Sequence, residues 1–402
     1  MNIVFIDNFL TIPPTGGAHT FLVDLASALV KRGWEVSVVT QPGPESGIST
    51  ALLAGGANVI MDLWTNRDLP EEKAAKLASW VNAFHPDAFV VSASPDVGWL
   101  ALPYLHPSIA TFSIAHNDVG AFYEPLKHYQ SFIDVAIGVS EAIHRKLIEE
   151  CGVPPERARQ IPYGVSTVPA EEISGLRNFE GSGPLKIGYV GRLVQEQKRV
   201  MDFVPLVREL GREKVPFELH LIGAGPDRAA LENALAQERL SERVKFLGWL
   251  GPAQVKAELR KLDVFILLSD YEGLPVALLE AMGHGVTPLV TRIESGNNEL
   301  VRDGENGLVV DVGDIKGFAK RLQSLSTDRK KLAELSRAAW MESQKYSLER
   351  MADSYAATFE HAAAVSSRKD RKGVISPYPV MRSCRSKYPF WLRKVKRVFV
   401  SR

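Results

Sequence analysis

The sequence predicts an α/β protein made of two doubly wound parallel sheets in tandem. Three observations predict it. The chain has 402 residues, too many for one ordinary core and enough for two domains. Short apolar, β-branched runs alternate with helical patterns, the signature of βαβ units. The alternation stops near Val165 and resumes after a stretch rich in Ser, Gly, Pro and Glu.

In the first half, "NIVFID", "EVSVVT", "AFVVSA", "SIATFSIA" and "DVAIGVS" read as buried parallel strands. Between the first two, "HTFLVDLASALVKRG" has helical periodicity, and Gly33 suits its C-cap. The opening "MNIVFIDNFL" lacks a basic n-region and a small-residue cleavage site, so it is expected to be a strand and not a secretion signal. "STVPAEEISGLRNFEGSGP" has linker composition. A second set follows: "LKIGYVG", "FELHLIGAG", "VKFLGWL", "DVFILLS", "VTPLVT" and "NGLVVD". A helix is expected from Leu348. The expected organisation is a Rossmann-like domain over 1–168, a linker over 169–184, a second Rossmann-like domain over 185–346, a helix over 347–365 and a tail over 366–402. Ligands of such folds bind at the carboxyl ends of the strands, here in a cleft between domains.

Composition is that of an average soluble globular protein, 45% hydrophobic and 24% charged. Two cysteines, Cys151 and Cys384, make no disulfide framework and no metal spacing, which fits a reducing, cytoplasmic compartment. No apolar run is long enough to span a bilayer, and no solenoid repeat is present. Residues 368–402 hold 12 Lys and Arg against one acid, Asp370, which leaves 36 basic and 46 acidic residues elsewhere. In "FWLRKVKRVFVSR", Trp391, Leu392, Val395, Val398 and Phe399 fall within an arc of about 120° at about 100° per residue. The cations take the opposite side. Such a tail suits either a solvated extension or, the reading favoured here, peripheral attachment to an anionic membrane, and its apolar face argues against nucleic acid.

Five stretches carry chemistry. In "LDVFILLSDYEGLPVALLEAMGHG" a strand ends at Ser269, and Gly273 permits a tight turn. Pro275 suits the first helical position, and Glu272 and Glu280 bracket seven uncharged residues. A strand end followed by a helix N-terminus is an anion site, most naturally for phosphate. In "YVGRLVQEQKRV", Arg192 at a strand end and Lys198 six residues later suit a diphosphate. "LIGAGPDRAAL" places Gly223 and Gly225 where backbone approaches a ligand or makes a tight turn. "TIPPTGGAHTF" opens a helix with Gly16 and Gly17 but lacks the dinucleotide spacing, so NAD and FAD are disfavoured. His116, ending "SIATFSIAH", is placed to face the cleft.

These stretches, with "VSEAI", "IPYGV", "VKFLGWL" and "VRDGENGLVV" in the same order, resemble glycosyltransferase family 4 from about Met1 to Ala364. The resemblance implies a retaining enzyme of GT-B fold using nucleotide-diphosphate sugars, with the helix from Leu348 crossing back onto the first domain. It implies that Arg192 and Lys198 hold the donor diphosphate, that Glu280 binds the ribose and that Glu272 contacts the sugar. Gly273, Leu274 and Pro275 would supply backbone contacts, Gly16 and Gly17 would lie beside the diphosphate, and His116 near the sugar. "RIESGNNELV" departs from the family's Gly-Gly before its acid, with Glu299 in the matching place, and His284 stands where small residues are common.

Loss of a nucleoside diphosphate needs charge stabilisation, from cations or a metal. The chain has no Asp-x-Asp pair, so Arg192 and Lys198 are expected to replace a metal, and no cofactor is expected. The expected activity is hexose transfer to a glycan or lipid-linked acceptor in cell-surface polysaccharide or lipopolysaccharide assembly. The alternatives are another GT-B enzyme, an epimerase or phosphorylase, and a non-catalytic nucleotide-sugar binder.

Overall fold

A computed structural model describes residues 1–7, 16–41, 47–65, 67–93, 96–176, 183–237 and 241–366. The basic tail and its predicted amphipathic segment lie outside the described residues. Among those described, no helix is long and apolar enough to cross a membrane.

The first sheet is all parallel: β1 (Asn2–Ile6), β2 (Glu35–Val39), β3 (Asn58–Ile60), β4 (Ala88–Val91), β5 (Ala110–Ala115), β6 (Val135–Gly138) and β7 (Ala158–Gln160), ordered β3-β2-β1-β4-β5-β6-β7. The second contains β8 (Leu185–Val190), β9 (Phe217–Ile222), β10 (Val244–Gly248), β11 (Val264–Leu267), β12 (Thr287–Thr291) and β13 (Leu308–Val310), ordered β10-β9-β8-β11-β12-β13. The strands are small or β-branched because helices cover both faces; all of β5, "ATFSIA", is buried. The first helix, Gly17–Lys31, buries Phe21, Leu22, Leu25, Ala26 and Leu29 as one stripe. It is followed by Gly33 at φ +80, as a C-terminal glycine requires.

Strand order fixes where a ligand can sit. In each sheet the chain runs to one side and then returns to the other, reversing between β1 and β4 and between β8 and β11. Loops leaving those adjacent strands diverge and open a crevice. The two crevices face each other.

The segment read as a linker contains a short helix, Ala170–Leu176; Glu171 and Glu172 in its first turn suit the helix dipole. The helix Leu348–Ser366 follows the second domain in sequence yet packs on the first. Phe359 is fully buried there, edge-on to Phe5 and Phe112 at centroid separations of 6.2 and 4.7 Å. Where the chain crosses, Gly164 lies against Ser347; a Cβ at Gly164 would stand 2.5 Å from the Ser347 carbonyl oxygen. Val165 N–H donates to the Tyr346 carbonyl at 2.8 Å. Phe359→Ala is therefore expected to cost about 3–5 kcal/mol by leaving a cavity among aromatic rings. Thermal denaturation should show a midpoint several degrees lower, and an unchanged midpoint would mean that the helix contributes nothing to the first domain.

Candidate active site

The second domain supplies one wall of the cleft. Its loops after β8 and β11 leave adjacent strands, so Lys198 and Glu272, 74 residues apart, meet. Lys198 Nζ donates to Glu272 Oε1 at 2.5 Å, and Ser269 Oγ donates to the same oxygen at 2.6 Å. Glu272 is 4% exposed. Arg192 is exposed and aligned from below: its guanidinium donates to Gln197 Oε1 at 2.7 Å, while Gln197 Nε2 donates to the Tyr271 carbonyl. The Tyr189 hydroxyl donates to the Arg192 carbonyl at 2.6 Å. Lys198 ends a one-turn helix, Gln195–Lys198, closed by Arg199 in the left-handed region.

Gly223 has φ +140, and a Cβ there would fall 1.9 Å from the Gly191 carbonyl oxygen. Its missing side chain makes room for the loop that carries Arg192. Gly225 is packed in the same manner on Leu193. Gly273 does not adopt a positive φ, contrary to the turn expected from sequence. Close approach explains the glycine: a Cβ would stand 2.1 Å from the His116 carbonyl oxygen in the other domain. Leu274 is buried, and Pro275 is the N-cap of the helix Val276–Gly283, one residue earlier than the sequence suggested.

The first domain supplies the opposite wall. Gly16 is exposed, and Gly17 packs on Val276, where a Cβ would meet Val276 Cγ2 at 2.7 Å. The N-termini of two helices therefore converge. The His116 ring is engaged at both nitrogens, with Ser92 Oγ at 2.9 Å and the Tyr163 hydroxyl at 2.6 Å. Burial, and secondarily the charge of His19, push its pKa down to about 3, so it is neutral. What His116 presents to the second domain is its carbonyl.

Several contacts were not visible in the sequence. Ser140, the N-cap of the helix Glu141–Glu149, bonds Ser295 Oγ at 2.9 Å, and Ser295 Oγ also lies 2.9 Å from the Gly273 carbonyl. Glu299 accepts from the N–H groups of Glu141 and Ala142 at 2.9 and 3.1 Å, capping a helix of the other domain. Arg145 and Glu294 pair beside them. His19 and Asp7 are both buried, with His19 Nε2 3.5 Å from Asp7 Oδ1. The signals were faint: a Ser before "EAI" and a His beside the glycine pair.

Glu280 is partly buried on the helix Val276–Gly283. Burial, and then the charge of Asp24 on the first helix, raise its pKa to about 7, against an opposing pull from Lys256. Asp24 is raised to about 6 by burial. A folded pKa above the unfolded one means that the native state keeps the proton longer. Stability from this source is full below about pH 4.5 and is lost as pH rises to about 7. Denaturation at pH 5 and 7.5 should therefore show a higher midpoint at pH 5, by up to about 3 kcal/mol from Glu280, and Glu280→Gln should reduce the difference to the part that Asp24 contributes. A slope unchanged in that variant would contradict the assignment.

Two family models match in chain order: Glycosyltransferase Family 4 over residues 15–168 and Glycosyl transferases group 1 over residues 177–340. WcaL of Salmonella typhimurium, named for colanic acid biosynthesis, is 31% identical over 239 residues. That match covers 56% of this chain and 57% of WcaL, little over half the relative's length. The lipopolysaccharide 1,6-galactosyltransferase of Escherichia coli is 30% identical over 265 residues, 61% of this chain and 67% of that protein. Among solved structures, HepE of Anabaena with UDP and glucose superposes with a TM-score of 0.72 over 90% of this chain and 99% of that one. At 20% identity that likeness speaks for the fold alone. Two parallel sheets facing across a cleft, both family models in order and a relative matched over two thirds of its length place the chain where the sequence pointed: it belongs to the GT-B glycosyltransferases of the family 4 type.

Proposed function

We propose that the chain transfers a hexose, with retention, from a nucleotide-diphosphate sugar to a glycan or lipid-linked acceptor in cell-surface polysaccharide or lipopolysaccharide assembly. The observation that carries this reading is the Lys198–Glu272 pair, 2.5 Å apart, with a buried carboxylate and a half-buried ammonium at the ends of the adjacent strands β8 and β11. The relatives named for colanic acid and lipopolysaccharide synthesis support the acceptor class, and HepE with UDP and glucose supports the donor class.

In this reading the diphosphate lies between the helix N-termini at Gly17 and Val276, with Arg192 and Lys198 on its oxygens. As the anomeric C–O bond breaks, charge grows on the phosphates, and preorganised cations stabilise it without reorganising. Glu272 keeps Oε2 without a partner among the described residues, and a sugar hydroxyl is its natural donor. Glu280 faces the ribose, one and a half helical turns further on. Arg192 and Lys198 take the part a metal plays in other transferases. The family resemblance implies front-face attack with no enzyme nucleophile, and we adopt it.

The site of work is the inner face of the membrane, reached through residues 368–402. This part of the proposal rests on the sequence pattern of the tail alone.

Arg192→Ala and Lys198→Ala should each lose about 2–4 kcal/mol of transition-state stabilisation, roughly 30- to 1,000-fold in kcat. A thermal-shift screen of UDP-, GDP- and ADP-sugars identifies the donor for that assay. Activity within twofold of wild type in both variants would sink the diphosphate assignment. Chelator treatment should leave the rate unchanged. Sedimentation with anionic vesicles tests the tail: removal of residues 368–402 should abolish binding, and an undiminished bound fraction would reject the membrane role.

A further inference from the structure

We propose that His19 holds the acceptor hydroxyl and takes its proton, with Asp7 fixing the orientation of its ring. This deepens the transferase reading above and rests on it.

His19 is 4% exposed, in the first turn of the helix Gly17–Lys31. Neither ring nitrogen has a hydrogen-bond partner among the described residues. A buried polar atom left unmatched costs about 1–3 kcal/mol, and native proteins keep few of them. The location gives this one a purpose. Asp7, fully buried, is the residue after β1, at the reversal point of the first sheet. Its N–H is tied to the Val39 carbonyl at 3.0 Å, which fixes the backbone that carries the carboxylate. Two residues before His19, Gly17 touches Val276 of the donor domain. Two residues after His19, Phe21 lies edge-on to the His116 ring at 5.4 Å, and the His116 carbonyl abuts Gly273. His19 therefore lies buried in the first turn of the helix whose Gly17 meets the second domain, with Asp7, just past β1, beside it.

His116 has no ring nitrogen to offer, since Ser92 and Tyr163 occupy both. His19 does. With Nε2 turned to Asp7, Nδ1 keeps a lone pair for a hydroxyl donor, a tautomer assigned from this geometry. The 3.5 Å separation is longer than a good hydrogen bond, and such catalytic contacts commonly tighten when substrate binds. The step balances within the site. The acceptor oxygen bonds to the anomeric carbon as the bond from that carbon to the diphosphate breaks, and the electron pair leaves on the diphosphate. The hydroxyl proton passes to Nδ1, Asp7 stabilises the imidazolium, and the proton returns to solvent after product leaves. Asp7 acts through His19 and is a positioning residue. The charge-stabilising groups, Arg192 and Lys198, lie on the other domain, so donor and acceptor duties divide between the two walls.

Water serves as the smallest acceptor, so the assay is hydrolysis of whichever of UDP-, GDP- and ADP-glucose stabilises the full chain. His19→Ala should slow sugar release about 100-fold. The thermal shift given by the matching nucleoside diphosphate should stay within about 1 °C, and added imidazole should restore part of the rate. His19→Gln, which keeps most of the ring's volume and offers an amide for hydrogen bonding, should lose the rate equally, since an amide takes no proton. Asp7→Asn should lower kcat without raising the donor KM, and should add no further loss in a His19→Ala background. Release within threefold of wild type in His19→Ala, or loss of the diphosphate shift together with the rate, would overturn the proposal. A wild-type chain that neither binds nor hydrolyses any of the three sugars would overturn the transferase reading, and this inference with it.

Discussion

The cleft depends on one partly buried ion pair, Lys198 with the buried Glu272. Its partners come from loops that leave neighbouring strands, so it exists only because β8 and β11 are adjacent while far apart in sequence. Neither charge is cheap to bury alone; stranding one partner of such a pair costs about 3–5 kcal/mol. The pair is therefore held by its surroundings, with Ser269 on the same carboxylate oxygen and Thr291 donating to the Ser269 carbonyl at 2.7 Å. In the proposed reading, a cation kept in place by a carboxylate is ready for a second anion, and a diphosphate would ask little rearrangement of the protein.

Closure of the two domains is written in glycine and in helix ends. Gly17 and Gly273 let backbone touch the opposite domain where any side chain would hold the walls apart. Ser295 links the Ser140 cap of one domain to the Gly273 carbonyl of the other, and Glu299 satisfies two N–H groups that the helix Glu141–Glu149 leaves unpaired. These contacts tie the loop that carries Glu272 to the position of the first domain. They also bring Asp24 up to Glu280, which holds its proton more tightly through burial first and that neighbouring charge second, while burial alone raises Asp24.

The sheets were legible because parallel strands buried on both faces leave runs such as "DVFILLS" and "AFVVSA" that little else produces. The second-domain wall was legible for a related reason: strand ends are local, so the positions of Arg192, Lys198, Glu272 and the helix start after Pro275 could each be read in a few residues, while their roles stay a proposal. Contacts between domains were not legible, since nothing local ties Glu299 to Glu141 or Ser140 to Ser295 across more than 150 residues. The same limit explains Gly273, read as a flexible turn and found to be a point of contact. It also explains His116, whose ring partners Ser92 and Tyr163 come from other strand ends. The short helix Ala170–Leu176 escaped because Gly and Ser in "ISGL" mask its acidic first turn.

The central claim is that Glu272 reads the sugar while Lys198 reads the diphosphate. Calorimetric titration of Glu272→Gln tests it directly, using the best-binding of UDP-, GDP- and ADP-glucose and the matching nucleoside diphosphate. The account predicts that the diphosphate binds as well as to wild type or better, since Lys198 is released from its partner, while the added affinity due to the sugar is lost. Equal weakening of both ligands, or of neither, would contradict it.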